Sequence, residues 1–228
     1  MSAIVLPGTP PIEVMVTRRA QARRMTLRVS PKDRLPRLTL PRSVSTREAQ
    51  RFLREKESWL RGALESLPHQ ARVEFGSEIM LGGQMMQIVP GVGRSVDIRD
   101  GALHVPGSES RVAARVKGYL KAQARTALHR SVEVYAARLG REYARISIKD
   151  TRSRWGSCST QGNLNFSWRL IMAPQNVLDY VAAHEVAHLA EMNHSPAFWA
   201  QVHRIFGPYE AERRWLRREG GALHRYEF

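Results

Sequence analysis

The feature that most constrains this chain is a helix-like stretch with no solvent face. From Asn176 to Met192, the residues Val177, Leu178, Val181, Ala182, Ala183, Val186, Ala187, Leu189 and Ala190 cover nearly every side of a 3.6-residue repeat. Such a segment is stable only inside a core. Yet it carries His184, Glu185 and His188. Burying two imidazoles and a carboxyl group is costly unless something compensates them, and a bound cation does so. Residues four apart share a helix face, so His184 and His188 are spaced to hold one ion. Glu185 stands beside them, able to reach a water on that ion without ligating it.

The flanking residues predict how the stretch begins and ends. Pro174 suits a first helical turn, and Asn193 suits the left-handed conformation that closes a helix. Ser195-Pro196 reads as a cap and first-turn proline of a new helix, with Phe198, Trp199, Val202, Ile205 and Phe206 as its apolar stripe and Gly207-Pro208 as its stop. His194 falls at the corner between the two helices and offers a third nitrogen. Glu210 and Glu212, on a later helix, compete for that role. His194 is preferred because its spacing fits H-E-x-x-H-x-x-G-x-x-H. Glu191 replaces the glycine of that pattern and no methionine follows Met192, so the chain does not read as a metzincin. Three protein ligands with one open position describe a catalytic zinc site, so the expected cofactor is one Zn2+ per chain.

A wider set of motifs surrounds this helix. Arg154-Trp155-Gly156-Ser157-Cys158-Ser159, Gly162-Asn163-Leu164-Asn165, Asp179-Tyr180-Val181, the His184–His188 helix, and Asn193-His194-Ser195 with Phe198-Trp199 follow in order. Together they resemble the YgjP-like metallopeptidases, bacterial relatives of the SprT-like and Wss-type zincins. The likeness is close from Ile146 to about Trp199 and looser over the N-terminal half. It implies His184, His188 and His194 as zinc ligands and Glu185 as the catalytic base.

The ligand set predicts a mechanism. Zinc lowers the pKa of a bound water from about 16 toward roughly 7. Glu185 would take its proton and pass it to a leaving amine. A donor for the tetrahedral oxyanion is also required; Tyr209, His203, His224, Arg154 and Arg169 are the residues considered. Arg154, Asn165 and Tyr209 are the candidate substrate or transition-state contacts. Ile146 and Ile148 alternate with Ser147 and Lys149 as in a half-buried strand. Gln161-Gly162-Asn163 is turn chemistry joining Trp155–Cys158 to Leu164–Phe166. That hairpin either lines the cleft as an edge strand for an extended peptide or merely packs on the helix.

The remainder reads as scaffold. Ile12, Val14 and Val16 form one alternating run and Met25, Leu27 and Val29 another, expected to pair as antiparallel strands. Ser45 with Glu48 makes a capping box for a helix burying Phe52, Trp59, Leu60 and Leu64. Gly82-Gly83 is a turn, and Asp100-Gly101 joins Val96–Ile98 to Leu103–Val105 as a hairpin. A long helix is expected from about Glu109 to Leu139, with Val112, Val116, Leu120, Leu128, Val132 and Tyr135 inward and Gly140 ending it. The expected class is α+β. A strand-rich region with one helix, 1–107, precedes a zincin-like region, 108–228, with a long helix, a small antiparallel sheet and the buried histidine helix. The boundary is soft and the two regions may share a core.

Composition narrows the setting. At 228 residues and 43% hydrophobic, the chain needs no external staple. Its one cysteine, Cys158, excludes an internal disulfide framework and fits a reducing compartment. The N-terminus lacks the pattern of a signal peptide and no apolar stretch is long enough to span a membrane, so a cytoplasmic protein without a membrane partner is expected. The net charge is +15 and arginine-rich, a field that draws polyanions. Three functions follow. The leading one is a zinc metallopeptidase acting on peptide or protein. The second is a zinc hydrolase of nucleotide or phosphate-ester substrates, which the arginines would suit. The third is a basic nucleic-acid-binding protein whose metal is structural or vestigial.

Overall fold

Two separate sets of buried apolar side chains divide the chain into two units, Met1–His69 and Gln70–Phe228. The computed structural model describes residues 2–29, 35–66, 70–151 and 153–228.

In the first unit, strand alternation does the work. Strand β1 (Ser2–Leu6) pairs antiparallel with β2 (Ile12–Arg18). Strand β3 (Thr26–Val29) pairs antiparallel with β4 (Pro36–Leu40), which runs parallel to β2. The order is β1-β2-β4-β3. Ile12, Val14, Val16, Leu38 and Leu40 are all buried, as a period of two requires when one sheet face is covered. The cover comes from α1 (Thr46–Glu55), through Ala49 and Leu53, and α2 (Glu57–Glu65), through Leu60. Ser45 and Glu48 close the expected reciprocal box at the start of α1, with Glu48 N donating to Ser45 Oγ at 3.2 Å and Ser45 N donating to Glu48 Oε2 at 2.8 Å.

Two expectations for this unit are corrected. Strands β2 and β3 do not pair, because β4 lies between them. The single helix breaks at Lys56 into α1 and α2. Leu60 then takes the inward position, and Trp59, one residue or about 100° around the helix, is 52% exposed.

The second unit is built around one long helix. Strands β5 (Ala71–Arg72), β6 (Glu78–Leu81), β7 (Gln84–Gly91), β8 (Asp97–Arg99) and β9 (Ala102–Pro106) come first. Four of them form a sheet in the order β6-β7-β9-β8. The β8–β9 hairpin turns through Asp100 at φ 50° and Gly101 at φ 74°, the left-handed conformation a two-residue hairpin loop demands. Helix α3 (Val112–Leu139), preceded by a 3-10 turn over Glu109–Arg111, buries Val112, Val116, Leu120, Leu128, Val132 and Tyr135 and ends at Gly140 with φ 72°. The expected boundary at 107 therefore falls inside this unit: Ile88, Leu103 and Val105 share one core with Val116, Leu120 and Val186.

The remaining elements carry the histidines. Strand β10 (Arg145–Lys149), β11 (Gly156–Cys158) and β12 (Asn163–Ser167) form a sheet in the order β10-β12-β11. It is mixed, not purely antiparallel, since β10 runs parallel to β12. Helices α4 (Gln175–Ala187), α5 (Pro196–Ile205) and α6 (Glu210–Arg218) follow, and β13 (Tyr226–Glu227) pairs parallel with β5. The molecule is thus α+β, strand-rich toward its N-terminus. Among the described residues no helix is long and apolar enough to cross a membrane.

Candidate metal centre

Helix α4 is enclosed by its own unit. Val177, Leu178, Tyr180, Val181, Ala182, Ala183, Val186 and Ala187 are all buried, and it packs on α3, α5, α6 and β11. The helix is shorter than expected at its C-terminal end. Pro174 is its N-cap and His188 its C-cap. Beyond Ala187 the chain tightens, with Leu189 N donating to Val186 O at 2.9 Å and Ala190 N to Ala187 O at 3.1 Å. Asn193 does not adopt the left-handed conformation, which among non-glycine described residues belongs to Asp100. Its side chain instead accepts from Ser195 N at 3.0 Å, and Ser195 caps α5 with Pro196 in the first turn.

This tight corner brings the three imidazoles together. The Nε2 atoms of His184 and His194 are 3.0 Å apart, and His184, His188 and His194 each offer a nitrogen within 4.8 Å of the others. Nitrogens around a tetrahedral zinc, at 2.0–2.1 Å from it, stand roughly 3.3 Å apart. His188 Nδ1 lies 2.9 Å from the carbonyl oxygen of Glu191. A carbonyl only accepts, so Nδ1 carries the proton and Nε2 keeps its lone pair for a metal. Burial, then the neighbouring imidazoles, hold His184 down to a pKa of about 3. Burial likewise lowers His188, against the Glu191 carbonyl. Imidazole nitrogens converging on one point fit a divalent cation. The expected competitors for third ligand lie elsewhere: Glu210 Oε2 accepts from Tyr209 N at 3.0 Å, and Glu212 Oε1 accepts from Asn176 Nδ2 at 2.8 Å.

Aromatic rings fix the imidazoles from behind. Phe198, fully buried, has its centroid 4.9, 4.4 and 4.7 Å from those of His184, His188 and His194. Trp199 stands 5.6 Å from His184 and 5.7 Å from His194. Tyr180 meets His184 edge-on at 5.9 Å. Residues α5 seemed to use for packing alone are thus the floor of the site.

Glu185 points to the opposite side, toward β11. It is 6% exposed, and burial pushes its pKa up to about 8 while Arg154 pulls in the other direction. A Cβ on Gly156 would sit 2.5 Å from Glu185 Cγ and 2.6 Å from Oε1, so only glycine lets the strand approach this carboxyl. Glycine within a strand signals such close approach, a signal available in the sequence but not read there. Strand β11 is the edge of its sheet, as the cleft-lining alternative required.

His184, Glu185, His188 and His194 open into a cleft of about 410 Å³, shared with Arg154, Trp155, Gly156, Ser157, Cys158, Tyr180, Val181, Met192 and Leu216. Burial, and then the charge of Glu185, raise the Cys158 thiol to about 11, so it stays protonated and is no nucleophile. Burial also holds the Tyr180 phenol up at about 12. Among the earlier candidates, Arg154 lines the cleft. Asn165 does not, but its Nδ2 donates to Ser157 Oγ at 3.3 Å. Tyr209 sits one layer back, stacked on Trp199 at 5.0 Å and on Tyr180 at 5.9 Å. Arg169 is buried, donating to Asp150 Oδ1 at 3.1 Å and to Leu223 O at 2.9 Å. His224 stacks on Trp155 at 5.1 Å, and His203 is exposed on α5.

Three comparisons complete the description. No curated protein matches the sequence. Among solved structures, the crystal structure of the metallopeptidase zymogen of Pyrococcus abyssi abylysin aligns with 41% of this chain and 92% of its own, at 21% identity and a TM-score of 0.36. The family described as YgjP-like, metallopeptidase domain, matches residues 23–219. With most of its length matched, and a three-histidine cluster in the matched region able to hold a metal ion, this chain belongs to the YgjP-like metallopeptidase family.

Proposed function

We propose that this metallopeptidase is a zinc enzyme that hydrolyses peptide bonds with Glu185 as its general base. One observation carries the reading: three imidazole nitrogens lie within 4.8 Å of each other, and a buried carboxyl from the same helix opens into the same cleft. Three imidazole nitrogen donors suit zinc, which when bound supplies an acidified water and polarises a carbonyl. Glu185 would accept a proton from the attacking water and return it to the departing amine. Burial that raises its pKa to about 8 suits a group that must both accept and release a proton near neutrality, and a neighbouring cation draws the value down. Gly156 keeps β11 against this carboxyl, and the strand's unpaired edge receives the substrate in extended form. The single cysteine, free and held as a thiol, accords with a reducing, cytoplasmic setting.

The test is turnover of zinc-loaded protein on a peptide library, with Glu185→Gln as the paired variant. The variant should lose about 10²–10⁴-fold in rate at unchanged metal content. Equal rates in both proteins, or hydrolysis of nucleoside triphosphates with every peptide left intact, would contradict the proposal; the second result would favour the phosphate-ester alternative.

A further inference from the structure

One wall of the cleft carries an arginine, and two more stand on the helix that contributes to the other. On the strand wall, Arg154 lies two residues before Gly156 and lines the cleft. It is exposed, and among the described residues its guanidinium makes no hydrogen bond or ion pair. On the helix wall, Leu216 lines the cleft from α6. Arg213 stands three before it, on the same helix face, and Arg217 one after, about 100° around the helix. The Arg213 guanidinium lies 4.7 Å over the ring of Trp199, and that ring stands 5.6 Å from His184. One ring therefore separates Arg213 from the metal ligands. The charges of Arg213 and Arg217 both reach Tyr180, a cleft residue.

Apart from Glu185, whose carboxyl feels the charge of Arg154, the nearby acids are committed elsewhere. Glu210 accepts from the backbone at the start of α6, Glu212 is buried on Asn176, and Glu219 pairs with Arg218 at 2.6 Å. Among the described residues neither Arg213 nor Arg217 has an ion-pair partner. Arg154 in the cleft, with Arg213 and Arg217 beyond its lining on α6, adds a positive field there, and guanidinium matches carboxylate geometry with paired hydrogen bonds. Between them Trp155, Tyr180, Val181, Met192 and Leu216 give apolar surface to a lining that also holds Ser157, Cys158, Glu185 and the three histidines.

We propose that the cleft selects acidic peptide segments, taking an apolar residue at the cleaved bond and aspartate or glutamate on its flanks. Arg154 receives the carboxylate on the strand side, and Arg213 with Arg217 the one on the helix side. Two residues of chain reach at most ~7 Å, so Arg154 acts within about two positions of the bond held beside Glu185. This selectivity rests on the peptidase reading above.

Zinc-loaded wild type is given a proteome-derived peptide library with cleavage sites read by mass spectrometry. The best sites are then resynthesised in pairs, acid against amide, Asp to Asn and Glu to Gln. At low salt the acidic member should be cleaved with a kcat/KM about tenfold higher or more, the scale of one charge-assisted hydrogen bond. The ratio should shrink toward one in Arg154→Gln, in the double variant Arg213→Gln/Arg217→Gln, and in wild type at high salt. Equal cleavage of acid and amide peptides would overturn the selectivity and leave the peptidase reading standing. A library left wholly intact would overturn both.

Discussion

The two units solve the burial of polar groups in opposite ways. Among the described residues of the first unit no polar or charged side chain is buried, and its core is Leu6, Ile12, Val14, Val16, Leu38, Leu40, Ala49, Leu53 and Leu60. Among the described residues every such group, Ser131, Ser167, Arg169, Glu185, His188 and Glu212, lies in the second unit. There they fall into two kinds. Arg169, clamped by Asp150 and Leu223 and packed 4.6 Å from the Trp168 ring, is a paired structural ion of the sort that is costly to break. Glu185 is enclosed just as fully, yet no hydrogen bond holds its carboxyl among the described residues. What the contrast teaches is that burial alone does not mark a site. A buried titratable group left open toward a cleft does.

The largest expected effect tests whether the first core stands apart. Leu38→Ala should cost about 2–5 kcal/mol, felt as faster hydrogen exchange over residues 1–69 with metal content unchanged. Loss of metal binding in step with that exchange would merge the two units. Next comes the strand under the carboxyl. Gly156→Ala adds an atom 2.5 Å from Glu185 Cγ and should lower peptide turnover about 10²-fold, the scale of a displacement near 1 Å, while zinc is retained. Wild-type turnover in that variant would remove the positioning role.

The smallest effect sharpens the meaning of the open carboxyl. In metal-free protein the folded pKa of Glu185 is raised, mainly by burial, from 4.5 to about 8. Its neutral form therefore favours folding fully below pH 4.5, and that contribution is lost as pH rises through about 8. Glu185→Gln has no proton to lose. Its melting temperature should exceed that of wild type by a margin that grows from pH 5 to pH 9. His184, held down to about 3 mainly by burial, acts at the other end: its contribution is complete above pH 6.5 and lost as pH falls through about 3, equally in both proteins. A flat or shrinking margin between pH 5 and pH 9 would mean that Glu185 is not kept neutral by burial.

Much of the site was legible because its signals are local. The spacing of His184 and His188, the cap at Ser195, the hairpin at Asp100-Gly101 and the stop at Gly140 each depend on a few neighbouring residues. What was illegible depends on long-range pairing. Nothing within Pro36–Leu40 announces that it inserts between β2 and β3, and nothing in Ile88 or Leu103 announces a shared core with Val186. Phe198 read as packing because an apolar stripe has the same pattern whether it faces leucines or imidazoles. Gly156 was readable as a close approach, but only the fold supplies Glu185 as what approaches it. Helix α4 ended early because His188, Leu189 and Ala190 close a tighter turn, which alternation of apolar residues cannot foretell.

A three-histidine centre should hold metal independently of Glu185. The most direct test is elemental analysis of dialysed wild type, His194→Ala and Glu185→Gln. About one zinc per chain is expected in wild type and Glu185→Gln, and clear loss in His194→Ala. Full zinc in His194→Ala, or none in wild type even after zinc is offered, would contradict it.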